Sequence, residues 1–274
     1  MTVALKGSLL LAGAGKMGGA LLAGWLPRGL DPQRVLVQDP APPPEVKALL
    51  AKHGLAAYPS IDSLAEPPAV IVMAVKPQSM EDVLRPLAKM AGPGTLVLSI
   101  AAGRTIRSLE DCLPPGTAVI RSIPNTPAAI GHGITVCCAN AHVTCDQRGQ
   151  CDALLSAIGE VGWVADEALI DAATAVSGSG PAYVFLLAEC LAEAGKAAGL
   201  EETLARRLAN ATVTGAGLLL RESGLEPAVL RRNVTSPQGT TAAALSVLMG
   251  PEGLQPLLTK AVLTAAKRSR ELSA

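Results

Sequence analysis

Short runs of apolar residues alternate with longer amphipathic stretches through the first half of the chain. The run at 70–75, VIVMAV, is apolar at every position, as expected for a strand that is covered on both faces. Strands separated by helices of about 10–15 residues are typical of βαβ units and a parallel sheet. The predicted strands are 8–12, 34–38, 70–75, 95–100, 118–123, 134–138 and 161–164, and the predicted helices are 17–26, 44–53, 79–90 and 105–113.

After about residue 166 the pattern changes, and only helices are predicted. A helix over 181–198 has a proline in its first turn, and a second helix over 201–222 contains Gly215 and Gly217. Glycine destabilises a helix by roughly 1 kcal/mol, so these two indicate another helix packed very close. Shorter apolar patterns predict helices at 227–232, 241–249 and 252–272. We therefore predict an α/β domain over 1–165 and an all-α domain over 166–274.

The composition of the chain argues against binding to nucleic acid or to a membrane. Of 274 residues, 49% are hydrophobic, and 23 basic side chains balance 23 acidic ones. A neutral chain with so few aromatic residues lacks the charge and the stacking surface that nucleic acid binding needs. No apolar run approaches the ~18–20 residues of a membrane-spanning helix. We expect a soluble, cytoplasmic protein that binds neither nucleic acid nor a membrane.

Six cysteines raise the question of a metal cluster around 137–151. No CxxC spacing occurs, and the three histidines are scattered. Reduced thiols in an intracellular protein explain this usage better than a metal site. We therefore expect no metal.

A glycine-rich turn joins the first predicted strand to the first helix. Gly13, Gly15 and Gly18 have the spacing GxGxxG, in which the glycines make a tight turn, admit a pyrophosphate and let helix and strand pack. Asp39 follows about 20 residues later at the end of the second strand, where an acid binds the ribose of a dinucleotide. The pattern predicts a Rossmann-type site, and the alternative is a purely structural turn.

The same acid bears on the choice of cofactor. A carboxylate at Asp39 accepts hydrogen bonds from a ribose 2′-hydroxyl and repels a 2′-phosphate. Residues 40–44, PAPPP, supply no basic side chain for that phosphate. These residues favour NADH over NADPH, unless Asp39 merely caps the loop after the strand.

Six motifs, in their order, resemble those of the pyrroline-5-carboxylate reductases, and the resemblance extends over nearly the whole chain. It implies an NAD(P)H-dependent oxidoreductase that reduces the C=N bond of L-Δ1-pyrroline-5-carboxylate to L-proline, the last step of proline biosynthesis. It also implies an all-α dimerisation domain, a homo-oligomer built from dimers, and NADPH as the more usual cofactor. The motifs are GAGKMG at 13–18, AVKPQ at 74–78, AAG at 101–103, PNTPA at 124–128, SGSGPAY at 177–183 and TSPQGTT at 235–241.

Through these motifs the resemblance also assigns residues to the cofactor. The loops after the strands line the nucleotide, and Lys76 shapes its loop or supplies a catalytic cation. Asn125 lies near the nicotinamide ring, or else forms an Asx-type turn before Pro127. The cofactor-binding candidates are Gly13, Gly15, Lys16, Met17, Gly18, Asp39, Ala74, Val75, Lys76, Pro77, Ala101, Ala102, Gly103 and Asn125.

The TSPQGTT motif resembles the substrate loop of the family and opens a predicted helix. Free N–H groups at a helix N-terminus suit a small carboxylate, and a glycine at 239 lets the ligand approach. Thr241 is the candidate catalytic residue, as a hydrogen-bond partner of the ring nitrogen. The family usually has Gly where this chain has Gln238. The substrate-binding candidates are Ser177, Ser179, Ser236, Gly239, Thr240 and Thr241, the first two in a predicted glycine-rich loop.

Two alternatives to this function remain. One is another reductase of the same architecture, acting on a different imine or on a β-hydroxyacid. The other is a non-catalytic protein that senses the cofactor.

Overall fold

The computed structural model describes Val3 and residues 5–273 of the chain. Its strands are β1 (Leu9–Ala12), β2 (Val35–Gln38), β3 (Ala57–Tyr58), β4 (Val70–Met73), β5 (Leu96–Ser99), β6 (Ala118–Pro124), β7 (Gly133–Ala139) and β8 (Gly159–Trp163). Within the described residues they form one sheet in the order β3-β2-β1-β4-β5-β6-β7-β8. The first six strands are parallel, and their order is that of dinucleotide-binding α/β folds.

Helices cover both faces of this sheet. The first five are α1 (Lys16–Trp25), α2 (Pro44–Lys52), α3 (Met80–Ala88), α4 (Ile106–Glu110) and α5 (Cys145–Leu155). Because neighbouring residues of a strand point to opposite faces, Leu9 and Leu11 join one buried cluster with α1, α2 and α5, whereas Leu10 joins another with α3 and α4. The sheet is therefore buried on both sides, as its apolar strands predict.

All seven predicted strands are confirmed, with small shifts at their ends. The prediction missed β3, which is only two residues long, α5, which has few apolar positions, and the five-residue helix Leu169–Ala173. A signal for α5 was present, because Thr144 and Gln147 form a capping box at its start. Three cysteines of the 137–151 segment, Cys137, Cys138 and Cys151, are buried in the core, and all six cysteines are free thiols. A hydrogen bond with Cys137 and burial raise the pKa of the Cys151 thiol well above its usual value.

The sheet is not wholly parallel, which corrects the prediction of a parallel sheet. Strand β7 runs antiparallel to β6, and β8 runs parallel to β7. Only a short 3₁₀ turn, Thr126–Ile130, and the left-handed Gly131 join β6 to β7. A parallel crossover needs a dozen or more residues, so this connection reverses the chain.

The later helices are α6 (Leu169–Ala173), α7 (Gly180–Ala197), α8 (Glu202–Ser223), α9 (Pro227–Asn233), α10 (Thr240–Leu248) and α11 (Leu254–Ser273). The chain divides into two compact units, one up to Gly178 together with the segment from Ala266 onwards, and one over Ser179–Ala265. The division lies later than the predicted boundary after residue 165. The reason is that α6 packs on β7 and buries Ile170 in the core of the first unit.

The second unit is helical, as predicted. Gly195 of α7 lets α8 pack closely, because a Cβ there would lie 3.2 Å from the Cβ of Ala205. Large apolar side chains of both helices nevertheless face outwards, among them Phe185 (62% exposed) and Leu219 (53% exposed). Outside their own stretch of α8, no described residue has an atom within 4 Å of the Cβ position of Gly215 or Gly217, where the sequence predicted a closely packed helix.

One helical stretch of the described residues, 169–197, is long and apolar enough to cross a membrane by length and composition alone. A single stretch of this kind is weak evidence for a membrane helix, and Asp171, Glu189 and Glu193 lie within it.

Candidate functional site

The carboxyl ends of five parallel strands meet at one edge of the sheet. In register, Ala12 of β1 lies beside Gln38 of β2 and Met73 of β4, and Met73 lies beside Ser99 of β5. The loops that follow these strands carry the predicted cofactor-binding residues up to 103, and Asn125 follows β6. This edge, where the strand order reverses between β1 and β4, is where open α/β sheets bind ligands.

The three glycines of the first loop have distinct environments. Gly13 has φ +92°, and a Cβ there would lie 2.7 Å from the carbonyl of Ala74, so the residue permits a tight turn against the loop after β4. A Cβ on Gly18 would collide with the carbonyl oxygen of Gly13. Gly15, the N-cap of α1, has no atom within 4 Å of its Cβ position. The backbone at the helix N-terminus is therefore open to a phosphate, with Lys16 and Met17 beginning the helix.

The Asp39 side chain ties the end of β2 to this glycine loop. One carboxylate oxygen accepts a hydrogen bond from the Ala14 N–H (2.6 Å) and the other from the Ala41 N–H (2.8 Å). The loop-capping role that was the alternative for Asp39 is thus present. Each oxygen has a second lone pair, so the same carboxylate can also accept from a ribose hydroxyl.

A basic residue that the sequence reasoning missed closes the loop after β4. Arg104 donates from Nε and Nη2 to the carbonyl oxygen of Pro77, at 3.0 and 2.8 Å, and from Nη1 to Glu81 at 3.2 Å. Its position directly after the AAG motif was the available signal. Lys76, the residue before Pro77, is exposed to solvent. This exposure supports a role for Lys76 in shaping the loop.

The Asn125 amide is engaged on both sides within the first unit. Its Nδ2 donates to the Ser177 carbonyl oxygen (3.1 Å), and its Oδ1 accepts from the Ile134 N–H (2.9 Å). These bonds fix the segment after β6 and do not form the Asx-type turn considered from the sequence. One Nδ2 hydrogen and one Oδ1 lone pair are left for a nicotinamide carboxamide.

The predicted glycine-rich loop at 177–183 is wrong, because this stretch is helical. Residues Thr174–Gly178 form a π-helical turn between α6 and α7, with the Ser177 hydroxyl donating to the Ala173 carbonyl oxygen (2.8 Å). Turns of this type are frequent at functional sites. Ser179 is the N-cap of α7 and makes no side-chain capping bond.

In the second unit, the predicted substrate loop is a tight turn into α10. The Gly239 N–H donates to the Ser236 carbonyl oxygen (3.1 Å), with Pro237 second in the turn and Gln238 third at φ +58°. Positive φ at the third position is the requirement of a type II turn, which favours Gly. Gln238 is thus strained where the family usually has Gly.

The turn itself also requires a glycine at position 239. A Cβ there would collide with the Ser236 hydroxyl, so the space is taken by the loop's own side chain. No side chain of the described residues caps α10, whose first two residues are Thr240, exposed, and Thr241, half-buried. The open N–H groups of this first turn are suited to a small carboxylate.

Two protein-family models match separate parts of the chain. A model described as "pyrroline-5-carboxylate reductase dimerisation" matches residues 167–272. A second, described as "NADP oxidoreductase coenzyme F420-dependent", matches residues 9–103, which include the glycine loop and the loops after β4 and β5.

Individual relatives match nearly the full length. A pyrroline-5-carboxylate reductase of Pseudomonas aeruginosa is 42% identical over 264 residues, which are 95% of this chain and 95% of that one. The solved structure of a pyrroline-5-carboxylate reductase from Coxiella burnetii is similar with a TM-score of 0.91 and 34% identity, covering 98% of this chain and all of that one. A Plasmodium falciparum pyrroline carboxylate reductase, solved with NADP bound, has a TM-score of 0.80 and 28% identity, covering 98% and 99%.

Proposed function

The chain belongs to the pyrroline-5-carboxylate reductase family, and we propose that the residues described above perform the reduction of L-Δ1-pyrroline-5-carboxylate to L-proline. NADH or NADPH supplies a hydride to the imine carbon, and the ring nitrogen takes up a proton. The observation that carries the assignment is the open glycine loop at the sheet edge of a chain that matches these reductases over its full length.

The cofactor is held by backbone more than by side chains. The N-terminus of α1 at Gly15 faces the pyrophosphate, and Asp39 binds the adenosine ribose while anchoring Ala14. The loops at 74–77 and 101–103 line the nucleotide. Arg104 holds the first of these loops in place through its hydrogen bond to the Pro77 carbonyl oxygen, so it supports the shape of the cofactor site.

The substrate carboxylate binds at the N-terminus of α10. The helix dipole contributes only about 0.3–1 kcal/mol at an exposed site, so direct bonds from N–H groups and hydroxyls supply most of the affinity. Ser236 and Thr240 provide hydroxyls for this carboxylate. Thr241 hydrogen-bonds the ring nitrogen and so fixes the orientation of the imine.

We further propose that the helical unit forms a dimer. An apolar groove of about 720 Å³, lined by α9, α10 and α11, includes Leu245, Leu248 and Leu258. The outward-facing Phe185 and Leu219 add to this apolar surface, and exposed apolar surface of this kind marks protein–protein interfaces. A second copy would bury this surface and would bring a helix to Gly215 and Gly217. We place the enzyme in the cytoplasm, as expected for a soluble biosynthetic reductase.

Oxidation of the reduced cofactor, followed at 340 nm, tests the function directly. We expect turnover with pyrroline-5-carboxylate and both cofactors, and none with 3-hydroxy acids and the oxidised cofactors. Turnover of 3-hydroxy acids alone would indicate a β-hydroxyacid dehydrogenase, and cofactor binding without any turnover would indicate a sensor.

A further inference from the structure

The last two turns of α11, from Ala266 onwards, belong to the first unit and lie beside the AAG loop at 101–103. Gly103 of this loop has φ +71°, and a Cβ placed on it would lie 3.3 Å from the carbonyl oxygen of Leu272 and 4.0 Å from its carbonyl carbon. The end of α11 therefore lies directly against the backbone of a loop that is part of the proposed cofactor site.

A hydrogen bond to a buried carboxylate holds this end of the helix in place. The Ser269 hydroxyl donates to Oδ1 of Asp171 at 2.6 Å, and Asp171, in α6, is 7% exposed. Ala266, about one turn before Ser269, is also buried. Residues three apart on a helix lie on the same face, so Ala266, Ser269 and Leu272 together form the face of α11 that packs on the first unit.

The segment that binds Ser269 is also joined to the chain that leaves the AAG loop. Glu167, just before α6, accepts a hydrogen bond from the Ile106 N–H at 2.8 Å, where α4 begins. The same carboxylate oxygen pairs with the buried Arg121 guanidinium at 2.7 Å. Asp171 lies about one turn further along the chain. The short segment 167–171 therefore holds both the residues that follow the AAG loop and the helix end that lies against it.

We propose that Ser269 is a positioning residue of the reductase, which fixes the AAG loop for the reduced cofactor through the end of α11. The inference rests on the proposed cofactor site. A buried carboxylate that loses its donor is costly, so removing the Ser269 hydroxyl favours an opening of the helix end that lets water reach Asp171. The AAG loop then loses its contact with Leu272 and adopts further conformations. The apparent affinity for the cofactor falls with the fraction of protein whose loop remains competent to bind.

Steady-state kinetics, with each reactant varied in turn, test this role. We expect Ser269→Ala to raise the KM for the reduced cofactor about fivefold, while kcat and the KM for pyrroline-5-carboxylate stay within about twofold of the wild type. Ser269→Thr keeps the hydroxyl and should restore the KM for the cofactor. The matched control is Thr264→Ala in the same helix, because this exposed hydroxyl donates to the Lys260 carbonyl oxygen of α11 itself. The control should leave all three constants unchanged.

Amide hydrogen exchange of the wild type, followed by mass spectrometry, gives a second test that needs no variant. Coupling between two sites is reciprocal, so a helix end that favours the binding-competent loop must itself be stabilised when the cofactor binds. We expect saturating NADH to slow exchange several-fold in a peptide that covers 266–272 as well as in the AAG loop.

The outcomes separate this inference from the function. An unchanged KM for the cofactor in Ser269→Ala, or equal losses in kcat and in both KM values, would overturn the positioning role and leave the reductase assignment intact. Slower exchange in the AAG loop without any change over 266–272 would overturn it as well. Failure of the wild type to bind either reduced cofactor would contradict the proposed cofactor site itself.

Discussion

Replacing Gln238 with glycine should stabilise the protein. Gln238 is the one described non-glycine residue with positive φ, at +58°. A left-handed conformation costs an L-residue roughly 1–2 kcal/mol, whereas glycine adopts it freely. Glycine also loses more conformational freedom on folding, which offsets roughly 0.5–1 kcal/mol of that gain. The net expectation for Gln238→Gly is a gain of about 0.5–1 kcal/mol in the free energy of unfolding.

Urea denaturation of a matched series at this position measures the effect. Gln238→Ala keeps the Cβ and the strain, so its stability should stay near that of the wild type. Gln238→Asn should fall between Ala and Gly, because asparagine tolerates the left-handed region. Equal stability of the Gly and Ala variants would show that backbone strain at position 238 does not limit stability.

Three further substitutions test the site and its support. Thr241→Ala should lower kcat/KM by about 10–100-fold, with the exposed Thr264→Ala unchanged, and steady-state kinetics that match the wild type would remove Thr241 from the mechanism. Asp39→Ser should shift the ratio of kcat/KM values away from NADH towards NADPH, and the same ratio in both proteins would refute the reading of this acid. Glu167→Gln removes the carboxylate that lies 2.7 Å from the buried Arg121 guanidinium, so it should lower the free energy of unfolding by about 3 kcal/mol. Urea denaturation measures this loss, and a value below about 1 kcal/mol would show that the ion pair contributes little to stability.

Much of the first unit could be predicted from local sequence. Apolar runs identified the strands, and the spacing of Gly13, Gly15 and Gly18 identified the turn that the structure forms. Asp39 was placed at the end of β2 because an extended strand carries its last residue to the sheet edge. These features depend on neighbours in the chain, and local patterns report on them directly.

Other features depended on partners distant in the chain. Two hydrogen bonds join elements that are far apart in the sequence, one from Asn125 to Ser177 and one from Arg104 to Pro77. Neither could be inferred from the spacing of residues in a motif. The glycine-rich appearance of 177–183 suggested a loop, yet packing of α6 on β7 continues the helix through a π-turn.

The sequence by itself determined the strands, the glycine turn, the helical second half and the resemblance that names the reaction. Tertiary structure alone decided that β7 reverses and that Gln238 takes a left-handed conformation. The physical reason is that a residue's periodicity is set by its own neighbours. Its hydrogen-bond partners and backbone strain are set instead by the segments that the fold brings against it.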